Sequence, residues 1–219
     1  MQALSDFLPF WPQLTAAQQQ RLLENTAEVH YKKGEIVYGA GGDCLGLLML
    51  CTGRLCTYLL SEEGREVALF ALQAGEICLL SASCALSQIT FDVFIEAEAD
   101  TTALLTSPAA FSAVKEENIY VENFVYKQMA EHFSDVMWVM QQILFLGFDK
   151  RLAIFLLDTA AQTGSADLRM THEQIAKYTG SAREVVTRML QRFAAEGLVS
   201  LSRGVIHITD SARLRKMVG

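Results

Sequence analysis

From Met170 to Asp210 the chain reads MTHEQIAKYTGSAREVVTRMLQRFAAEGLVSLSRGVIHITD, and this stretch is compatible with few folds. Thr171 stands as an N-cap, Gln174 three residues on is its capping-box partner, and Ile175 and Tyr178 face inward, which predicts a short helix. Gly180 breaks it. A second helix is predicted from about Ala182 to Glu196, with Val185, Val186, Met189, Leu190 and Phe193 as its apolar stripe and Gly197 as its stop. Leu198 to Ile208 then reads as a β-hairpin. Two helices across a glycine turn, followed by a hairpin, predict a winged helix-turn-helix.

The opposite face of the second helix carries Arg183, Glu184, Thr187, Arg188 and Arg192. Near a helix N-terminus such residues reach neighbouring base edges: an arginine fork matches guanine, and a glutamate accepts from the cytosine amino group. On an isolated amphipathic helix the same charges would read as a solvated face with Glu184 and Arg188 paired at i, i+4. The flanking helix, turn and hairpin favour base reading. Charge follows the same division. From Ala166 onward there are nine basic and five acidic residues, against nine and twenty before it, so a net charge of −7 hides a basic terminal module.

Upstream, from Glu28 to about Thr106, short β-prone runs alternate with glycines: Glu35 to Tyr38, Leu45 to Cys51, Arg54 to Leu60, Glu66 to Ala71, Phe91 to Ala97 and Thr101 to Leu105. Many short strands separated by turns predict a jelly-roll or β-sandwich. Thr15 to Asn25 reads as a short opening helix. After Pro108 the period becomes helical, and a long helix is expected from about Asn118 to Leu146. Val125, Met129, His132, Val136, Val139 and Ile143 recur on it at spacings of four and three, the pattern of a coiled-coil seam between two copies of the chain. Gly147 follows as a hinge, and Asp149 to Ala161 opens the terminal domain.

At 219 residues and 51% hydrophobic content the chain can hold two ordinary cores. No apolar run approaches the roughly 20 residues that span a bilayer, and MQALSDFLPFWPQL lacks the charged start and apolar core of a secretion signal. A soluble cytoplasmic protein with no membrane partner is expected. Five cysteines, an odd number, fit a reducing compartment better than a disulfide framework.

The segment GSAREVVTRML resembles the recognition-helix pattern of the Crp/Fnr family of bacterial transcription regulators, an Arg-Glu pair and, after three intervening residues, an Arg. YKKGEIVYGAGG, CTGRL and EGREVALFALQAGE are similar to the glycine-punctuated β-roll of the same family. The resemblance implies an α+β chain. A double-stranded β-helix (jelly-roll) sensor domain, like a cyclic-nucleotide-binding domain, would occupy residues 1–117, a dimerisation helix 118–147, and the winged helix-turn-helix 148–219. It implies base-reading roles for Arg183, Glu184 and Arg188, with Thr171, Ser181 and Thr187 as phosphate or accessory contacts. The implied partners are a palindromic double-stranded DNA site, a second copy of the chain, RNA polymerase if the protein activates, and a small-molecule effector.

The effector is not implied in the same way. In cyclic-nucleotide-binding relatives a Gly-Glu motif and a short helix precede an arginine that pairs with the phosphate. Gly75 and Glu76 are present, but no lysine or arginine lies between Arg65 and Lys115. A buried phosphate without its cation is very costly, so cyclic AMP is disfavoured. No cysteine precedes Cys44, so the N-terminal cysteine cluster that holds iron and sulfur in oxygen-sensing relatives is missing, and the cofactor is unknown.

Three readings of GEICLLSASCALS compete. Cys78 and Cys84 are small core residues; or they form a thiol or metal sensor with Cys44, Cys51 and Cys56, against which no CxxC spacing is present; or an uncharged or cationic small molecule binds between the roll and the long helix. The last reading gives contacts to Glu76, Cys78, Ser81, Ser83 and Cys84 on the roll and to Phe124 and Gln128 on the helix. A cupin-like metal enzyme is the least favoured alternative, because it needs clustered histidines with a carboxylate and His30 is the single histidine in the first 131 residues. No catalytic or metal-ligating residues are expected.

Overall fold

The computed structural model describes residues 4–39, 44–79, 81 and 93–219. Strands β1 (Thr26–Tyr31), β2 (Ile36–Tyr38), β3 (Leu47–Thr52), β4 (Arg54–Leu60), β5 (Glu66–Gln73), β6 (Ile77–Cys78), β7 (Phe94–Ala97) and β8 (Thr101–Thr106) form two four-stranded sheets, ordered β1-β8-β3-β6 and β2-β7-β4-β5. The pairings are antiparallel, with Leu48 opposite Leu105 and Thr57 opposite Ile95. β3 shows how these sheets are held. Its side chains alternate, so Leu48 and Leu50 enter a core shared by both sheets with Leu55, Ile95 and Ala97, while Leu47 and Met49 enter a second core with Phe111, Val121 and Val125. A strand covered on both faces reads as the unbroken apolar run LLML.

The α+β jelly-roll expectation holds, and each predicted run has a strand within it. The short β6 and the first strand β1 were not foreseen, the latter because TAEVHY exposes most of its length.

Helices α1 (Leu4–Phe7), α2 (Ala16–Glu24), α3 (Pro108–Glu117) and α4 (Ile119–Phe145) complete this part. Thr15 caps α2 through a full capping box with Gln18. Ser107 caps α3, whose Pro108 occupies the first turn. Asn118 then separates α3 from α4: its backbone is extended, and its side-chain oxygen accepts from the Tyr120 N–H at 3.0 Å while its amide donates to the Gln13 carbonyl at 3.0 Å.

The stripe expected as an intermolecular seam faces the chain's own fold over its first half. Val125 is buried in the core, Met129 packs against that core, His132 stacks on Phe70, and Val136 packs against the core between the sheets. Val139 and Ile143 are half-buried. The apolar side chains left open on α4 include Tyr126, Phe133, Met137, Met140 and Leu144, one position further on. A stripe one residue away is rotated about 100° around a helix, so the two stripes face different surroundings.

The chain divides into two compact units, Met1–Leu59 with Leu69–Val136, and Leu60–Ala68 with Met137–Gly219. The division cuts within α4, and the tip of the β4–β5 hairpin belongs to the second unit. That unit contains α5 (Phe148–Thr163), β9 (Asp167–Leu168), α6 (His172–Thr179), α7 (Arg183–Ala195), β10 (Val199–Ser202), β11 (Val205–Ile208) and α8 (Ser211–Val218), with a sheet ordered β10-β11-β9. Leu152, Leu156, Ile175, Leu190, Phe193 and Leu214 belong to its core. β9 and α8 were not anticipated, being a two-residue strand and a mostly polar helix.

Gly180, between α6 and α7, has φ +60°, and a Cβ there would come within 2.8 Å of Ile143 Cδ1. The flexible tip of Ile143 can move, but the left-handed backbone cannot be relieved. Gly180→Ala is therefore expected to lower stability by about 1–2 kcal/mol, read as a lower denaturant midpoint. A second expectation concerns His132. Burial pulls its pKa below the ordinary histidine value against the opposing pull of Asp135, Glu131 and Glu76. The unfolded chain then binds more protons than the folded one below the ordinary value of about 6.5, so this stability is complete above that pH and is lost as pH falls through the folded pKa. Between about pH 7 and pH 5, wild type should lose more thermal stability than His132→Phe.

Candidate nucleic-acid interface and roll cavity

α6 begins at Thr171, whose hydroxyl accepts from the Gln174 N–H at 3.1 Å while the Gln174 side chain accepts from the Thr171 N–H at 2.8 Å. Its C-terminus is closed by Gly180, and the Gly180 and Ser181 N–H groups both donate to the Ala176 carbonyl. α7 begins after Ala182, which has no side-chain cap, so the first amides of α7 have no side chain bonded to them from that position. Anions are stabilised at such a terminus.

Burial fixes the phase of α7. Val186, Leu190 and Phe193 have no exposed surface. A helix that buries this stripe must present the residues on its far side outward, and Arg183, Glu184 and Arg188 are exposed. None of these three makes an ion pair among the described residues; Glu184 and Arg188 are not bridged, whereas Arg192 pairs with Glu196 at 2.8 Å. The solvated-face alternative therefore lacks its defining contact, and two guanidinium forks and a carboxylate stand open over the first turns of the helix.

The accessory residues divide. Thr171 is exposed but serves as an N-cap, and Ser181 is half-buried in the turn. Thr187 is also half-buried; its hydroxyl donates to the Arg183 carbonyl at 2.9 Å and lies 2.8 Å from His172 Nδ1. It fastens the two helices together at the edge of the face on which a phosphate or accessory contact was expected. Arg203, exposed on the β10–β11 turn beside Gly204, is a cation that the sequence reading left unremarked. Its signal was present in the turn SRG.

Two more residues missed in the sequence hold this scaffold. Lys177 is buried on α6 and pairs with Glu66 at 2.8 Å. Arg151 on α5 donates to three carbonyls: from Nε to Thr179 at 3.2 Å, and from one terminal nitrogen to Leu146 at 3.0 Å and Ile143 at 3.4 Å. Arg65 donates to the Gly180 carbonyl. Burial, and secondarily the charge of Arg65, pull the Arg151 pKa below its ordinary value. Arginine nonetheless stays charged, so it can satisfy terminal carbonyls of both helices.

In the first unit a cavity of about 470 Å³ opens against α4. Glu76, Phe124 and Gln128, expected as effector contacts, line it with His132 and residues of the N-terminal segment. Cys78 and Ser81 do not. Cys78 is a core residue, and the buried Ser81 hydroxyl lies 2.7 Å from the Gly46 carbonyl and 2.8 Å from that of Cys78, where it has no reach into the cavity. Ser83 and Cys84 fall outside the described residues. Cys56 is fully buried, and burial, then the charge of Glu28, push the Cys51 thiol up, away from the thiolate a redox sensor uses. Among the described residues no three histidine, cysteine or carboxylate side chains converge as metal ligands, and no helix is long and apolar enough to cross a membrane.

Residues 150–217 match the Crp-like helix-turn-helix domain family. The solved structure of a regulator assigned to the Crp/Fnr family from Eubacterium rectale ATCC 33656 is 44% identical to this chain, covers 97% of it and is itself covered over 99%, with a TM-score of 0.93. The transcriptional activator protein anr of Pseudomonas aeruginosa is 25% identical over 196 residues, 86% of this chain and 79% of the relative. The cAMP-activated global transcriptional regulator Vfr of the same organism is 24% identical over 177 residues, 76% of this chain and 81% of the relative. With the open arginine face of α7, the terminal winged unit and likeness to that structure over nearly its full length, this chain belongs to the Crp/Fnr family of DNA-binding transcription regulators.

Proposed function

We propose that the protein is a dimeric regulator that reads a palindromic DNA site and whose affinity for that site is set by a small molecule in the β-roll. The observation that carries this reading is the presentation of Arg183, Glu184 and Arg188, exposed and without internal ion pairs, by a helix whose opposite face is fully buried. These are side chains suited to guanine and cytosine edges. Its known relatives are transcription regulators, which supports a regulatory rather than a catalytic role.

A second copy of the chain is the natural cover for the open stripe of α4. Tyr126, Phe133 and Leu144 are each about two-thirds exposed, and Tyr126, Phe133, Met137, Met140 and Leu144 follow spacings of seven, four, three and four. This is a heptad seam. A two-fold dimer places two recognition helices about 34 Å apart, matching successive major grooves.

The gating step is a population shift. An effector in the roll favours one arrangement of α4, and Gly147, which precedes α5, is the joint at which the DNA-binding unit changes orientation. Cyclic AMP, the effector named for Vfr, does not suit this chain: no lysine or arginine lines the described cavity. Thiol sensing is the second reading: Cys44 is disulfide-bonded, against the expectation of five reduced cysteines, and favours it, whereas the buried settings of Cys56 and Cys78 weigh against it. RNA polymerase is a further partner if the protein activates, and the cytoplasm is the compartment where its DNA lies.

Sites selected from random DNA should be palindromic. Against the selected site Arg183→Ala and Arg188→Ala should each cost about 1–3 kcal/mol in binding while leaving non-specific DNA affinity nearly unchanged. Equal losses on random DNA would count against base reading. Phe133→Asp should sediment as a monomer at micromolar concentration and bind the full palindrome weakly, whereas a wild-type monomer with undiminished affinity would remove the dimer.

A further inference from the structure

Among the described residues the charged side chains lining the cavity beside α4 are all acidic. Asp6, Glu76, Glu131 and Asp135 line it, and among the described residues no lysine or arginine does. The sequence from residue 66 to 114 holds no basic residue at all, so the neighbouring stretch of chain brings no counter-charge. One oxygen of Glu76 accepts from the Gln73 N–H at 2.7 Å, and one of Glu131 accepts from the Gln128 amide at 2.6 Å. The second oxygen of each has no protein hydrogen bond among the described residues.

The walls between these carboxylates are aromatic. Phe70 stacks on the His132 ring with centroids 4.3 Å apart and planes at 10°, and Phe124 is held edge-on by Phe10 at 5.1 Å. Both His132 ring nitrogens are buried without a hydrogen-bond partner; the nearest carboxylate oxygen, on Asp135, is 3.9 Å away and too far for one. A buried polar ring left unsatisfied is a cost that the fold carries at this wall of the cavity.

These features select one ligand chemistry. Carboxylates gathered at one cavity repel each other and gain from a cation, π faces attract cations, and an anion would be desolvated with no counter-charge. The volume lies in the range of roughly 300–1,000 Å³ typical of small-molecule sites and far exceeds a metal ion. We propose that this cavity binds an organic cation, an ammonium or amidinium head among the carboxylates joined to an apolar or aromatic body against Phe70 and Phe124. The assignment rests on the reading of the β-roll as the effector-sensing part. It inverts the charge of the ligand named for the cAMP-activated relative.

Isothermal titration of the full chain with phenethylammonium and with benzamidinium, beside 3-phenylpropanoate as an anion of similar shape, tests it. The cations should bind and the anion should not. Glu76→Gln and Asp135→Asn should each weaken cation binding about tenfold with an unchanged circular dichroism spectrum. Failure of both cations to bind, anion binding as tight as theirs, or cation affinity unchanged in both variants overturns the ligand class. Affinity for the selected palindrome, measured in the same samples, separates the two readings. Cation binding that leaves DNA affinity unchanged upholds the ligand class and removes gating, and DNA affinity that responds only to an anionic ligand removes the ligand class alone.

Discussion

The buried stripe of α7 is the constraint on which the interface depends. Val186, Leu190 and Phe193 are fully enclosed with Ile175, Leu152 and Leu156. Side chains on a helix are fixed to its axis, so enclosing one face determines what the other face shows. Arg183, Glu184 and Arg188 are exposed because Leu190 and Phe193 on the opposite face of the same helix are not. The surface proposed to read DNA is thus a product of core packing, and its polar residues bear little of the energy that positions them. Thr187 marks the border, half-buried and bonded to His172.

What could be read in the sequence was whatever is encoded locally. The Thr171–Gln174 capping box, the glycine at 180 and the 3.6-residue period of α7 all lie within a few residues of the element they specify, and each forms as read. Features fixed by distant partners were hidden. Lys177 looks like a surface residue in YTG-flanked sequence and is instead buried and paired with Glu66, more than a hundred positions away. Thr187 reads as an exposed polar residue until α6 is laid beside it. The surroundings of α4 were hidden for the same reason: two apolar stripes run along that helix, and only the placement of the roll shows which one it covers. Cys78 and Ser81 matched a loop motif by position, but the pleat of β6 and the carbonyl of Gly46 claim them for the interior.

α4 has a division of labour that neither stripe alone would suggest. Phe124, Gln128, Glu131 and Asp135 recur at spacings of four, three and four and line the cavity. Tyr126, Phe133, Met137 and Met140 recur at a different angle and are open. Both sets ride on one hydrogen-bonded rod, so neither can turn about the axis without the other. That coupling requires no wire of intermediate residues, because covalent geometry supplies it.

Arg151 extends the same logic past the end of the rod. Its guanidinium donates to Ile143 in the last turn of α4, to Leu146 just past its end, and to Thr179 in the last turn of α6. One planar fork therefore serves as a shared buckle for two helix ends. Should either end twist, the fork keeps one set of carbonyls and releases the other, and the abandoned oxygens must find water. A lysine, a single point of charge, could hold either end but could not register their alignment.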